Sequence, residues 1–415
     1  MAKSTATPPL AEKPTAEKPT AEKPTEKPTA EKPTVKVTSP AGEGCLKVRG
    51  DARELADAVG LAASVAPAKS PRPVLQNLLL EAREGVLHVT GSDLDIAIKV
   101  AVERVEVSSD GAVLVNAARL QQILRELVGE DVTIETDARQ GCIVSTGDAR
   151  FHVMGEEPGD YPELAAWKGE GAVQLKAGEL ANMIRRTHFA AHPEKTRYAM
   201  NGTLIDLRDE RLRLVATDGK RLAMCERPVA KVKAPVFVVV PTKAMTLLQR
   251  VVGEGDEQLE LRVESAQVHV RTRAASISAR LVEGHFPPYE DVLPPEHDRK
   301  LKVARDAFAL ALRRAALLGT KDSQAVRFQF AREGLTLTSR VPEVGEARIH
   351  FPIDFPWDPL AVGFNPQFFT DVLKVIERPE LDLEIKNAES AAVIREREED
   401  GGVFIYLVMP LDLSS

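Results

Sequence analysis

The chain has 415 residues, 43% of them hydrophobic and 28% charged, which is typical of a soluble globular protein of about three domains. Its formal net charge of −7 argues against a protein that holds nucleic acid with a basic surface over the whole molecule. The sequence has no long apolar segment, no signal peptide, and no cysteine spacing of a disulfide framework or metal motif, so it predicts a cytoplasmic protein with buried thiols.

Residues 1–44 form a low-complexity segment in which AEKPT or EKPT recurs. The frequent prolines remove amide donors and disfavour helix at the preceding residue, so we predict a disordered, extended tail. The near balance of Glu and Lys is typical of a solvated spacer. A docking sequence for a partner is the alternative interpretation.

The remaining sequence contains three copies of one plan. An opening strand and helix recur in segments that start at Cys45, Ala172 and Lys300. A second passage from an alternating strand to a helical period occurs at Asn116, Pro241 and Asn365. Residues of these types commonly form the turn or cap at the start of a helix.

Alternating apolar residues with Gly, Asp or Glu at the turns predict antiparallel strands after each helix, as in the runs that begin at Asn77 and Asp131. Each copy is thus a strand, a helix and several strands, followed by the same order again. The sequence predicts an α+β fold of three similar domains, each a doubled strand-helix-strands unit. The predicted domains span residues 45–168, 169–296 and 297–415.

Four separated motifs stand out: RPVLQNLLLEA from Arg72, VATDGKRLA from Val215, LVEGHFPPYEDVLP from Leu281 and YLVMPL from Tyr406. In this order they resemble the bacterial DNA polymerase III beta subunit family, the sliding clamps. The resemblance covers about residues 45–413, and the threefold repeat agrees with it independently. It implies three DNA-clamp domains that assemble as a ring-shaped, head-to-tail homodimer, with helices lining the hole and a continuous sheet outside.

The resemblance also implies a function. A clamp of this family encircles duplex DNA, slides along it and tethers the replicative polymerase, and it has no catalytic residues and no cofactor of its own. The implied partners are a second copy of the chain, duplex DNA without sequence specificity, the polymerase alpha subunit, an ATP-dependent clamp loader, and translesion polymerases and repair proteins with short Leu/Phe motifs. The implied location is the cytoplasm, at the nucleoid.

The charge of the predicted helices has the sign that a DNA channel requires. Together they carry a net charge of about +4 within an acidic chain, although residues 51–65 alone carry about −2. The candidate DNA-facing residues are basic side chains of the helices and of the loop before the first hairpin: Lys69, Arg72, Arg125, Arg185, Arg186, Lys243, Arg250, Arg313, Arg314 and Lys374. A solvated helix face is the alternative interpretation of each residue.

The resemblance places an apolar peptide-binding cleft between the second and third domains. The matching residues are Met200, Thr217, Gly219, Lys220, Arg221, Leu222, Pro287, Val292, Leu407, Val408, Met409, Pro410 and Leu411. The Met, Leu, Val and Pro side chains provide apolar walls, Gly219 permits close backbone approach, and Thr217 or Arg221 can bind polar atoms of the peptide. Asp291 and Asp412 occupy positions that are often basic in the family, so we expect partner motifs with a basic flank.

The residues that match dimer contacts of the family are Arg150, Phe151 and Val153 in the first domain and Leu317, Leu318 and Glu343 in the third. An exposed edge strand is prone to pairing, and a ring removes that edge because a second chain completes the sheet. An edge protected within one chain is the alternative.

Two other functions compete with a replicative clamp. A metal-dependent hydrolase could use the carboxylates of Asp93, Asp95 and Asp218, or His188 and His192, which are spaced i and i+4 on a predicted helix. The histidines lack the glutamate of HExxH, and the phosphate-loop and nucleophile-elbow motifs are absent from the sequence, so we predict no catalytic residues and no metal site. The other alternative is a ring-shaped paralogue specialised for repair or scaffolding.

Overall fold

The computed structural model describes residues 45–162, 172–194, 199–230, 235–253, 255–264, 266–297, 299–319, 325–341 and 344–412. The predicted tail, the predicted boundary at residues 168 and 169, and the candidate dimer contact Glu343 lie outside these residues. In the ranges that the structure describes, no helix combines the length and the apolar character needed to cross a membrane.

The first domain opens with a strand and a helix that begins where the Asp51 carboxylate accepts hydrogen bonds from the amides of Arg53 and Glu54, at 2.9 and 3.2 Å. The Asn116 side chain caps the second helix in the same way. The elements are β1 (Lys47–Asp51), α1 (Ala52–Ala63), β2 (Asn77–Arg83), β3 (Val86–Ser92), β4 (Ile96–Val102), β5 (Val105–Ser109), β6 (Gly111–Asn116), α2 (Ala117–Glu126), β7 (Asp131–Thr136), β8 (Cys142–Ser145), β9 (Arg150–Val153) and β10 (Gly155–Glu156).

The second domain repeats this order with two strands fewer among its described residues. Pro241 precedes its second helix and gives no side-chain cap. The elements are β11 (Val173–Lys176), α3 (Ala177–Thr187), β12 (Gly202–Arg208), β13 (Arg211–Thr217), β14 (Arg221–Pro228), β15 (Val236–Pro241), α4 (Thr242–Val252), β16 (Gln258–Glu264), β17 (Gln267–Arg271) and β18 (Ala275–Arg280).

The third domain has the same plan. The Asn365 side chain accepts a hydrogen bond from the amide of Gln367 at 2.9 Å, and Pro366 occupies the first helical position, where its missing N–H costs nothing. The elements are β19 (Lys300–Ala304), α5 (Arg305–Ala315), β20 (Val326–Ala331), β21 (Gly334–Val341), β22 (Gly345–Phe351), β23 (Leu360–Phe364), α6 (Pro366–Leu373), β24 (Glu380–Glu384), β25 (Ala392–Arg397) and β26 (Val403–Val408).

The strands form four antiparallel sheets, and two of the sheets run across domains. One has the order β10-β6-β2-β3-β4-β18-β17-β16-β11, and another has the order β15-β12-β13-β14-β26-β25-β24-β19. We call the pairing of β4 with β18 the first joint and the pairing of β14 with β26 the second joint. The smaller sheets are β5-β1-β7-β8-β9 in the first domain and β22-β21-β20-β23 in the third.

The helices pack in pairs, α1 with α2, α3 with α4 and α5 with α6, against one face of the sheets. Leu55 of α1, Leu120 of α2 and Ile98 of β4 belong to the same fully buried core. Successive residues of a strand point to opposite faces, so the neighbours of Ile98 face away from the helices. The predicted α+β fold of three similar domains, each a doubled strand-helix-strands unit, is confirmed.

Candidate functional site

The second joint brings together two of the predicted peptide-binding segments. Leu222 of β14 lies opposite Leu407 of β26 in the antiparallel pairing. Just beyond the strands, the amide of Met409 donates a hydrogen bond to the carbonyl of Lys220 at 2.9 Å. The turn that precedes β14 and the end of β26 therefore lie side by side, although they are far apart in the sequence.

An apolar cluster covers the face of the second joint that lies away from the helices, and we call it the outer cluster. Its buried members are Ala199, Leu204, Val215, Leu222, Met224, Val239, Phe286, Tyr289, Val393, Ile405 and Leu407. Val292 and Met409 flank this cluster in the chain and remain 55% and 44% exposed. This rim of exposed apolar side chains beside the outer cluster is a candidate contact surface for the apolar residues of a peptide.

The turn before β14 is held by its own side chains. The Thr217 hydroxyl donates to the carbonyl of Arg221 at 2.6 Å and accepts from the amide of Gly219 at 3.1 Å. Gly219 has a φ of +85°, and a Cβ placed on it would meet no atom within 4 Å. Glycine is therefore favoured here by backbone conformation rather than by close approach of another group.

The Arg221 side chain links the second and third domains. Its guanidinium donates to the carboxylates of Asp218 at 3.0 Å and Asp371 at 2.8 Å and to the carbonyl of Phe189 at 3.0 Å, and it lies 4.7 Å from the ring centroid of Phe368. These contacts engage three of the five N–H donors of the guanidinium, and the expectation that Arg221 binds polar atoms of a peptide stays a prediction.

The Asp371 carboxylate on α6 is held in its charged form. Burial would raise its pKa, but hydrogen bonds from Arg221, Lys374 and Gln367 outweigh burial and lower the pKa below the ordinary value of 3.8. The Arg221 guanidinium is also kept charged, since Tyr406 and Asp371 raise its pKa against the effect of burial.

Arg186 is the clear failure among the predicted DNA-facing residues. Its side chain is buried, 3.1 Å from carboxylate oxygens of both Glu396 and Glu398, and it lies over the ring of Phe404. Arg227 completes this cluster through ion pairs with Glu398 and Asp400. The prediction for Arg186 is wrong because the residue joins α3 to β25 and the loop after it.

The other predicted DNA-facing residues divide into two groups. Six are exposed and form no ion pair with any residue in the described ranges: Lys69, Arg72, Arg125, Arg250, Arg313 and Arg314. Three pair with carboxylates: Arg185 with Glu377, Lys243 with Asp93, and Lys374 with Asp371. Four residues of the first group, Arg125, Arg250, Arg313 and Arg314, belong to helices and therefore lie on the helix side of the sheets.

Eight strands end the four sheets of the described residues, and two of them, β9 in the first domain and β22 in the third, lie at predicted dimer contacts. Exposed apolar side chains accompany these two edges, with Phe151 37% and Met154 79% exposed at β9, and Leu317 77% and Val344 56% exposed near β22. A Cβ placed on Gly345 of β22 would lie 3.8 Å from Leu318. Predicted dimer contacts therefore fall on two of the open sheet edges.

The residues considered for a metal site form hydrogen bonds with backbone groups instead. Asp93 and Asp218 accept amide hydrogen bonds in the turns before β4 and β14. His188 bonds the carbonyl of Ile184, and His192 accepts from the amide of Glu194. Within the described part of the chain, no three His, Cys, Asp or Glu side chains come close enough to hold a metal ion.

Three tandem α+β domains that share sheets at their joints, with paired helices on one side, define the clamp fold. Models of the DNA polymerase III beta subunit match the chain over residues 46–165 for the N-terminal domain, 174–288 for the central domain and 290–412 for the C-terminal domain. The chain belongs to the DNA polymerase III beta subunit family, the beta sliding clamps.

Relatives and solved structures agree with this assignment. The chain is 30% identical to the beta sliding clamp of Escherichia coli strain K12 over 342 residues, which is 82% of this chain and 93% of the relative. It is 30% identical to that of Pseudomonas putida over 85% of this chain and 96% of the relative. A sliding clamp from Pseudomonas aeruginosa, solved bound to griselimycin, matches with a TM-score of 0.81 at 28% identity, over 89% of this chain and all of that one.

Proposed function

We propose that two copies of this chain close head to tail into a ring of six domains. The ring encircles duplex DNA, slides along it and tethers the replicative polymerase, and the chain itself does no catalysis. The observation that carries this proposal is the repeated use of one kind of strand pairing at the two joints within the chain.

The two joints use equivalent strands in the same register. At the first joint Ile98 lies opposite Ile277, and at the second Ala223 lies opposite Tyr406. From the strand pairings inside each domain, Ala347 of β22 occupies the position that Ile98 and Ala223 occupy in their domains. In the same way, Phe151 of β9 occupies the position of Ile277 and Tyr406. A third joint of the same kind would pair β22 of one copy with β9 of another, with Ala347 opposite Phe151. Two such pairings close a twofold ring.

A closed ring also reconciles an acidic chain with a role on DNA. The six exposed and unpaired residues of the predicted DNA-facing set, on the helices and one loop, support only loose phosphate contacts, and affinity for open DNA falls steeply with salt. A ring does not depend on that affinity, because it leaves DNA only when a joint opens or an end passes. Contacts with phosphates alone carry no sequence information and therefore permit sliding.

The outer cluster is the proposed docking surface for partners. Its exposed rim residues Val292 and Met409 offer apolar contacts to a Leu/Phe motif of the polymerase alpha subunit, the clamp loader or repair proteins. ATP enters this scheme only through the loader, as the family resemblance implies.

Disulfide trapping tests the third joint. The variant Phe151→Cys/Ala347→Cys, in a Cys45→Ser background, should oxidise to a covalent dimer, because residues directly opposite in antiparallel strands have the Cα spacing that a disulfide requires. The buried thiols of Cys142 and Cys225 should not compete, since burial raises both pKa values to about 12. Phe151→Cys/Glu346→Cys is the matched control, because residue 346 points to the other face of the strand. Equal oxidation of both variants would contradict the proposed register.

Topology tests the ring itself. The oxidised dimer, loaded onto nicked circular DNA before oxidation, should resist a high-salt wash and should be released when a nuclease linearises the DNA. Retention on linear DNA, or loss from circular DNA, would refute the encircling mechanism.

A further inference from the structure

The first joint has a surface that corresponds, pair by pair, to the outer cluster of the second joint. It lies on the face of the sheet away from the helices. The equivalent opposed pairs are Ala97–Ser278 and Leu222–Leu407, and Lys99–Ser276 and Met224–Ile405. Small or polar residues thus occupy, at the first joint, the positions that hold large apolar residues at the second.

The small side chains leave a depression of about 440 Å³ at the first joint. Ala97, Ser276 and Ser278 form its floor along β4 and β18. Both serine side chains remain partly exposed, so their hydroxyls are accessible as hydrogen-bond donors from outside. The depression is therefore open and polar, whereas the outer cluster is apolar.

The charged residues around this floor are all basic. Lys99, Arg271 and Arg273 line the depression, and no carboxylate does so among the described residues. Glu81 pairs with Lys99 at 3.3 Å, Glu103 pairs with Arg273 at 2.8 Å, and Glu260 lies opposite Arg271 in the strand pairing, but these three carboxylates lie outside the lining. An incoming anion would meet cations and hydroxyl donors without passing a negative charge inside the depression.

We propose that this depression binds an extended, acidic peptide segment of a partner protein. Carboxylate side chains suit the cations and hydroxyls, and an extended backbone suits a surface that follows two strands. A single-stranded nucleic acid fits less well, because among the described residues no Phe, Tyr or Trp lines the depression as a stacking platform. Duplex DNA inside the proposed ring would lie on the opposite face of the sheet. The proposal depends neither on ring closure nor on the Leu/Phe-motif surface.

Fluorescence anisotropy with full-length chain tests the proposal, with a fluorescein-labelled octapeptide of alternating aspartate and serine as the probe. Charge reversal in Lys99→Glu/Arg271→Glu should weaken binding of the probe at least tenfold. Lys47→Glu/Arg49→Glu makes the same charge change on β1 of another sheet and should leave binding within twofold of wild type. Ser278→Leu adds no charge but places the counterpart of Leu407 in the depression, and it should also weaken binding at least tenfold.

The outcomes separate this site from the proposed function. A Leu/Phe-motif peptide should bind Lys99→Glu/Arg271→Glu as it binds wild type, and Met409→Asp should weaken that peptide without affecting the acidic probe. Absence of probe binding to wild type, equal losses in both charge-reversal pairs, or full binding by Ser278→Leu would each overturn the proposal. The proposal would also be overturned if an oligothymidylate displaced the probe and bound Lys99→Glu/Arg271→Glu and Ser278→Leu more weakly than wild type. That result would assign the depression to nucleic acid.

Discussion

Leu317 offers a quantitative test of the dimer joint. In the single chain this side chain is 77% exposed, beside the open edge strand β22. Replacing Leu with Ala removes three carbon groups, each worth about 0.8 kcal/mol when buried, or about 2.4 kcal/mol in all. Because 77% of the side chain is available for burial, Leu317→Ala forfeits up to about 1.8 kcal/mol at one joint. The proposed ring has two such joints, so the dimer should lose up to about 3.7 kcal/mol, which corresponds to a dissociation constant two to three orders of magnitude higher.

Mass photometry or sedimentation equilibrium over a dilution series measures this change directly. Phe237→Ala is the matched control, because Phe237 is 54% exposed on β15 of the second domain, which takes no part in the proposed β9–β22 pairing. The control should dimerise as wild type does. If Leu317→Ala dimerised like wild type, or if Phe237→Ala weakened the dimer as much, the placement of the joint at β22 would be refuted.

Three further predictions concern single side chains. Arg186→Met should lower the free energy of unfolding by about 3–5 kcal/mol, because it leaves the buried Glu396 carboxylate unpaired. Arg250→Met replaces an exposed arginine and should change the free energy of unfolding by less than about 0.5 kcal/mol. Equal stabilities of the two variants in urea unfolding would contradict the buried ion pair of Arg186. Asp371→Asn should be less stable than wild type near neutral pH. Because the folded-state pKa of Asp371 is lowered, the stability difference between the two proteins should shrink as pH falls below about 3.8. A stability difference that stays constant as pH falls would argue against the ion pair of Asp371. A lysine added to a Leu/Phe-motif peptide should raise the affinity of the peptide for wild type about twofold to fivefold, but not its affinity for Asp291→Arg. If calorimetric titrations gave the same affinity ratio of the two peptides for both proteins, the expected preference for a basic flank would be refuted.

The repeated domain plan could be predicted from sequence because its signals are local. Strand alternation, helical periodicity and the capping residues Asn116 and Asn365 all act within a few residues, and the structure confirms both caps. The alternation also predicted the antiparallel strands that follow each helix. These signals say little about which strand ends a sheet, because edge pairing is decided by residues far away in the chain.

The error at Arg186 has the same origin. Arg186 stands in the last turn of a helix, where a basic residue is favourable whether it faces solvent or not. Its partners Glu396 and Glu398 lie more than two hundred residues later, so nothing near Arg186 marks it as buried. Arg221 likewise meets Asp371 only after the second joint forms.

The depression at the first joint was invisible in the sequence for a different reason. Ala97, Ser276 and Ser278 are ordinary strand residues with no motif, and their significance comes from the larger residues at equivalent positions of the second joint. Only the observed strand register, which the repeats share, made this comparison possible.

The two joints within the chain should differ in mechanical stiffness. Largely buried ion pairs of Arg186, Arg221 and Arg227 link the two domains at the second joint. At the first joint the pairs Arg273–Glu103, Lys243–Asp93 and Arg280–Asp95 each have a basic side chain that is more than half exposed. Dissolved ions screen an exposed pair far more than a buried one. A strained ring would thus bend mainly at its first joints, and its compliance would increase with ionic strength while the block formed by the second and third domains stays rigid.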